Sequence, residues 1–331
     1  MKKFQRYLYV LIIVIAATQL ISCTKKSQTN LLVRQFDKSL FNSDNDSLSE
    51  SIRHWKALYP HFFPVFTDYV IGIGLPDDPG FEDYLIQFKK DPVILNVFKL
   101  TQNKYPDFEQ TGKQIAQGVR NYQKMIDASE DIIITSFISG FNQSFLSLEK
   151  ELAIGIDNYL GVDCQYYPQL GLPEYIYNKM TPEYLPGDAV RAWIMSDMAE
   201  SSEQETLLDK IISEGKILYT AELAMKKYPE HLLFRYSKDE LNWCENNEKS
   251  MWEYIVGKEL LFSSDHMLIQ RLTQDAPFTR EFGNDSPGRC GNWLGYQIVK
   301  RYMGKSKCTI TDLLHSVEAS KILAESGYHP R

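Results

Sequence analysis

Apolar positions recur with a helical period over most of this 331-residue chain and change to a strand-like texture in one short stretch. From Ser51 to Lys104 the spacing predicts short helices. Trp55, Leu58 and Tyr59 share one face, Tyr84, Leu85 and Phe88 another, and the turn-rich link VIGIGLPDDPG (70–80) separates them. Ile115, Val119, Tyr122 and Met125 predict a helix over 106–127. DIIITSFISG (131–140) is β-branched and ends at glycine, and ELAIGIDNYL (151–160) repeats that signature, so two strands are expected, joined through FNQSFLSLEK as a hairpin or meander. A Tyr/Pro-dense stretch, CQYYPQLGLPEYIYNKMTPEYLPG (164–187), reads as an ordered loop with one short helix. Beyond it, helices are expected over 188–199, 204–226, 238–262, 289–304 and 310–325. Ser237 with Glu240 makes a capping box, in which each side chain satisfies a backbone N–H of the first turn, and Thr309 with Asp312 does similar work. The fold class is therefore α+β and helix-rich, with a small sheet flanked by helices.

The first residues change the picture of location. Lys2, Lys3 and Arg6 precede an apolar run from Leu8 to Ala17, and Leu20-Ile21-Ser22 leads into Cys23. This is the pattern of a bacterial lipoprotein signal, with Cys23 as the lipidated residue, and the run is too short and wrongly flanked for a spanning helix. Cleavage before Cys23 takes the formal net charge from −7 to −10. An acidic chain of this kind offers no large basic patch for nucleic acid, and its hold on a bilayer must come from acyl chains. The tether after Cys23 carries Lys25 and Lys26 rather than an acidic run, which by analogy with Bacteroidetes lipoproteins points to the outer membrane, facing the periplasm.

Cys164, Cys244, Cys290 and Cys308 remain, and four cysteines allow three pairings or four free thiols. The helix expected after Cys290 separates it from Cys308 by about 20 Å, whereas a disulfide needs Cα atoms within about 7 Å. That pairing alone is disfavoured.

Candidate chemistry centres on IISEGKILY (211–219), which sets Glu214-Gly215 inside an apolar run. The segment resembles the helix that supplies a carboxylate ligand in gluzincin zinc peptidases, where an earlier helix carries H-E-x-x-H. The resemblance implies a gluzincin-like architecture in the C-terminal two-thirds and places the metal helix at 188–199, DAVRAWIMSDMA. No histidine falls between His61 and His231, and 191–195, RAWIM, offers no glutamate to act as general base. Glu214 is then expected to be a partly buried structural carboxylate, paired or bonded to backbone amides. Asp188, Asp197, Glu200 and Glu203 cluster nearby, a pattern that more often marks a solvated helix face than a cation site. Gly72-Ile73-Gly74 reads as a tight turn, and Gly291 with Gly295 as a close helix crossing.

Six segments in order, RQFDKSLF (34–41), AIGIDNYLG (153–161), YYPQLGLPEY (166–175), IISEGKILY, LNWCENNEKSMW (241–252) and SPGRCGNWLGYQIVKRYM (286–303), resemble the gliding-motility lipoprotein family GldB of Bacteroidetes. That resemblance implies an envelope lipoprotein connected with gliding motility and its associated secretion system. The chain divides into a signal peptide (1–22), a lipid-anchored tether (23–33), an N-terminal helical part (34–130) and the α+β part (131–331), the last two packed as one body. The expectation is a non-catalytic pseudo-peptidase with no cofactor, no metal and no catalytic residue. Its partners would be the bilayer, through acylated Cys23, and other envelope proteins. They would meet it at a cleft roofed by the Tyr/Pro segment and floored by the Glu214 helix, with Glu214, Asp157, Tyr167 and Tyr175 as candidate contacts. Two alternatives stand beside it: a hydrolase using carboxylates around Asp157, Asp197 and Glu214, and a peptide- or carbohydrate-binding lipoprotein using the aromatic lid.

Overall fold

The structure, a computed structural model, describes residues 32–198 and 205–330. The signal peptide, Cys23 and most of the tether lie outside these residues, as do Glu200 and Glu203. Both β-branched runs form strands, but not as a hairpin with each other. The strands are β1 (Leu32–Gln35), β2 (Ile133–Phe137), β3 (Phe145–Leu148) and β4 (Glu151–Gly155), in the order β1-β2-β4-β3. β1 with β2 and β2 with β4 are parallel, while β3 and β4 are antiparallel. The linking segment is itself the edge strand β3, which returns through the two residues 149 and 150 onto β4. Burial explains the order. All five residues of β4 are buried, so it takes a central place, and the half-exposed β3 goes to the edge. β1 corrects the expected tether, because Leu32 and Val33 belong to the sheet; four residues are too few for a periodic signal, and the ladder to β2 makes the strand.

The pleat sorts side chains into two cores. Ile134, Leu152 and Ile154 point into the larger one, and Phe137, Leu146 and Ala153 into a smaller aromatic one. The smaller core is built by α1 (Phe36–Phe41), α2 (Leu48–Leu58), α3 (Phe62–Val65) and α4 (Phe81–Lys90). Within it Phe36 is ringed by Trp55, Tyr59, Phe62, Phe63 and Phe66 at centroid distances of 5.1–5.8 Å. Tyr84, expected on the apolar face with Leu85, is exposed, while Leu85 is buried.

α5 (Pro92–Lys104) and α6 (Phe108–Met125) complete the N-terminal half. The Tyr/Pro stretch holds two short helices rather than one, α7 (Tyr166–Gln169) and α8 (Glu174–Tyr177). Then come α9 (Leu185–Ser196), α10 (Leu207–Ala224), α11 (Glu230–Leu233) and α12 (Lys238–Gly257), followed by α13 (His266–Thr273) and α14 (Cys290–Met303). The helix expected over 310–325 is two, α15 (Ile310–His315) and α16 (Ala319–Ser326). Capping boxes start α10 at Thr206 and α12 at Ser237, and Thr309 caps α15. Among the described residues no helix is long and apolar enough to cross a membrane.

α10 and α14 make the most extensive helix–helix contact, and glycines permit it. A Cβ on Gly215 would meet the Gly295 carbonyl carbon at 2.4 Å, and one on Gly295 would lie 1.7 Å from the Ile211 carbonyl oxygen. Neither neighbour is a side chain that could swing away. Gly295→Ala is therefore expected to destabilise the chain by about 3 kcal/mol through overpacking, outweighing the ~1 kcal/mol alanine gains as a helix former. Urea unfolding of the two proteins measures it, and an unchanged midpoint would show the crossing to be looser than described.

Candidate functional site

Beside that crossing α9, α10, α14 and two connecting segments enclose a cavity of about 590 Å³. Asp188, Arg191, Ala192 and Met195 come from α9, Glu214 and Ile217 from α10, and Asn292 from α14. Arg235, Asp275 and Arg289 enter from loops, and Phe145 and Ile176 supply apolar wall.

Helix physics places several of these groups. Pro186 and Asp188 fall in the first turn of α9, where a missing N–H is tolerated and a carboxylate complements the helix dipole. Arg191 lies one turn on, facing α10. Arg235 and Arg289 both adopt left-handed backbone, with φ of 57° and 63°. A bulky residue held there costs about 1–2 kcal/mol relative to a right-handed conformation, so the surroundings fix these two arginines against a local preference.

The charges form a graded network. Asp188 is tightly held: Arg235 donates to its Oδ2, and the Tyr159 hydroxyl donates to the same oxygen at 2.9 Å. Glu214 is held loosely, with Lys210 Nζ at 3.4 Å, Arg191 Nη2 at 3.9 Å and Asn292 Nδ2 at 3.5 Å. Asp275 Oδ1 has Lys179 at 3.6 Å and Arg289 at 3.7 Å. Burial alone would raise Asp275, but Arg289, Arg235, Lys179 and Arg191 together hold its carboxyl below the ordinary value. Burial, aided by Arg289, pushes the Arg191 guanidinium down. Burial likewise lowers Lys179 in spite of Asp275.

Of the four candidate contacts named from sequence, Glu214 alone lines this cavity; Asp188, expected on a solvated helix face, lines it as well and is buried, because Arg235 and Tyr159 satisfy its carboxylate. The contacts of Glu214 are with cationic side chains and Asn292 rather than backbone amides. The expected cleft is there in outline, since Ile176 of the Tyr/Pro segment and the Glu214 helix both bound it, yet Tyr167 and Tyr175 do not. Tyr167 is fully buried; its hydroxyl donates to the Asp157 carbonyl at 2.9 Å and accepts from Leu160 N–H. Half-buried Tyr175 lies on α8 away from the lining. Asp157 is buried elsewhere, its Oδ2 accepting the backbone N–H groups of Ser139 and Phe141 at 3.0 and 2.7 Å. Asp197 accepts from the Tyr122 hydroxyl at 2.5 Å. Of the three carboxylates in the hydrolase alternative, only Glu214 lines the cavity, and each has its own partners. Among the described residues no three His, Cys, Asp or Glu side chains are grouped to hold a metal ion. Cys164, Cys244, Cys290 and Cys308 are free thiols, the last half-buried.

The cationic lining was not singled out from sequence, although each arginine breaks an apolar or glycine-rich context: DAVRAWIM, LLFRYS and SPGRCGNW. An arginine in such a setting is a signal of a buried charge, and three of them are the trace of this cleft.

Fold and cleft together describe a helix-rich α+β protein that gathers buried charge around an open cavity. The chain belongs to the family of the gliding motility protein GldB, whose model matches residues 19–330. No curated protein and no solved structure matches it, so the likeness to zinc peptidases rests on the sequence segments alone.

Burial pushes the Asp157 carboxyl up from 3.8 to about 6, against the backbone N–H groups that favour its charged form. The folded chain then keeps a proton that the unfolded chain has lost. The contribution of this group to stability falls as pH rises from about 4 to about 6 and is level above, a loss of about 3 kcal/mol at one pKa unit per 1.36 kcal/mol. Asp157→Asn is expected to remove this contribution and flatten the profile by that amount. Urea unfolding of both proteins across that range measures the difference, and parallel profiles would mean Asp157 is ionised when folded.

Proposed function

We propose that the chain is a lipid-anchored envelope protein of the gliding-motility and associated secretion type. On this reading it faces the periplasm from the outer membrane and acts by binding other envelope proteins rather than by catalysis. Family membership supports the cellular setting, and Leu20-Ile21-Ser22-Cys23 supports the anchor. The observation that carries the binding reading is the state of Glu214. This carboxylate, which a gluzincin would turn toward zinc, faces Arg191 and Lys210. A carboxylate flanked by two cationic side chains is an unfavourable place for a metal cation, because like charges repel at these distances. The same guanidinium chemistry is well suited to recognition.

Two measurements test the parts separately. Cys23→Ser is expected to move the chain from the membrane fraction to the soluble one and to abolish labelling with radioactive palmitate; retention in the membrane would remove the anchor. For the partner, a photo-crosslinking residue replaces Met195, which lines the cavity and is 58% exposed. In cells it should capture a discrete envelope protein that the same probe at Tyr69, 73% exposed and outside the cavity lining, does not. Equal capture from both positions would refute the cleft as recognition surface, and hydrolysis of a peptide by the purified chain, lost in Glu214→Gln, would replace binding with catalysis.

A further inference from the structure

The strongest clue to what the cleft binds is the hydrogen-bonding capacity its cations leave unused. A guanidinium offers five N–H donors in a planar fork, and burying them unpaired is costly. Arg191 is close to two carboxylates, at 3.6 Å from Asp188 and 3.9 Å from Glu214, but both distances exceed a hydrogen bond. Its Nε is buried with no partner among the described residues. Arg289, with only 6% of its side chain exposed, reaches Asp275 at 3.7 Å and has no side-chain hydrogen bond among the described residues. Both residues line the cavity. Asn292 Oδ1, in the same lining, is a buried acceptor without a donor among the described residues.

Charge sets the sign of what fits. Arg191, Arg235, Arg289 and Lys179 are each at most 16% exposed and face three carboxylates, Asp188, Glu214 and Asp275. With Lys179 beside Asp275 and Lys210 beside Glu214, five positive charges meet three negative ones, a surplus that welcomes an anion. The walls add Phe145, Ile176, Met195 and Ile217, so an apolar group can lie beside the anion. The volume falls within the usual range for ligand clefts, about 300–1,000 Å³.

We propose that this cleft binds a peptide C-terminus: a carboxylate in the fork of Arg191 and Arg289, its last side chain apolar and laid against Ile176 and Met195, and its terminal N–H donated to Asn292 Oδ1. Planar carboxylate and planar guanidinium match in a two-bond pairing that neither Asp188 nor Glu214 now makes with Arg191. The inference rests on the reading that the cleft is the recognition surface and names the chemistry of the partner's contacting end.

The test titrates the full-length chain in detergent with N-acetyl-leucine, N-acetyl-leucinamide and inorganic phosphate, following the melting temperature. The acid is expected to raise it in a concentration-dependent way, as a ligand of the native state must, and the amide and phosphate are not. Arg191→Gln should weaken the acid's binding roughly tenfold or more. In that variant Asp188 keeps Arg235 and Tyr159, and Glu214 keeps Lys210, so folding is expected to survive. Should it not, Arg191→Lys preserves the charge without the fork and is expected to bind the acid more weakly than the parent chain. Equal shifts with acid and amide would overturn the proposal, as would preference for phosphate or no shift with the acid. Competition separates this inference from the broader reading. N-acetyl-leucine should suppress the crosslink from position 195. A Met195-specific crosslink that persists at saturating acid would sink the C-terminus and leave recognition standing, whereas loss of both results would remove both.

Discussion

The backbone contact between α10 and α14 is the constraint on which the cleft depends. With hydrogen in place of a methyl at Gly215 and Gly295, the two helices approach until peptide groups touch. The residue before Gly215 is Glu214, and one turn before Gly295 lies Asn292, so the close crossing brings their side chains together. Arg289 immediately precedes the same helix. Gly291 extends the pattern, since a Cβ there would lie 2.8 Å from the Leu272 carbonyl oxygen of α13. Rigid helices joined in this way hold polar groups with a precision that a flexible loop would not.

Onto this frame the chain loads a costly arrangement of charge. Buried ion pairs commonly return less than their desolvation takes, so the network is weak evidence for stability. Its members differ in how completely they are satisfied. Asp188, gripped by Arg235 and Tyr159, is the fixed end, while Arg191 and Arg289 meet carboxylates only beyond hydrogen-bond distance. Arg235 and Arg289 also keep left-handed backbone that their side chains do not favour. Loose pairing and local strain in the same cleft are expected where a site is organised for something other than folding.

Asp157 and Tyr167 show a different use of buried polarity. Asp157 ties the turn at Ser139 and Phe141, and the Tyr167 hydroxyl bridges the Asp157 carbonyl and the Leu160 amide. Both anchor the connection between the sheet and the Tyr/Pro segment. The aromatic residues of that segment thus serve mainly as a packed cover, and only Ile176 reaches the cavity lining.

Local signals determined much of this protein in advance. Period and capping located α6, α10, α12 and α14, β-branched runs located β2 and β4, and ordered family segments identified the GldB family, because each depends on residues near one another in the chain. Short elements escaped: β1 exists through its ladder to β2, and α13 and β3 are too brief to show a clear period. The Glu-Gly pair was conspicuous in sequence, but the reason for its glycine was not. Only the fold shows that Gly215 meets Gly295, eighty residues along the chain, and that Arg191, Arg235 and Arg289 converge from three distant segments. Charge convergence is a property of tertiary packing: nothing in the spacing of 191, 235 and 289 encodes it, and only the folded chain creates the low-dielectric space in which it matters.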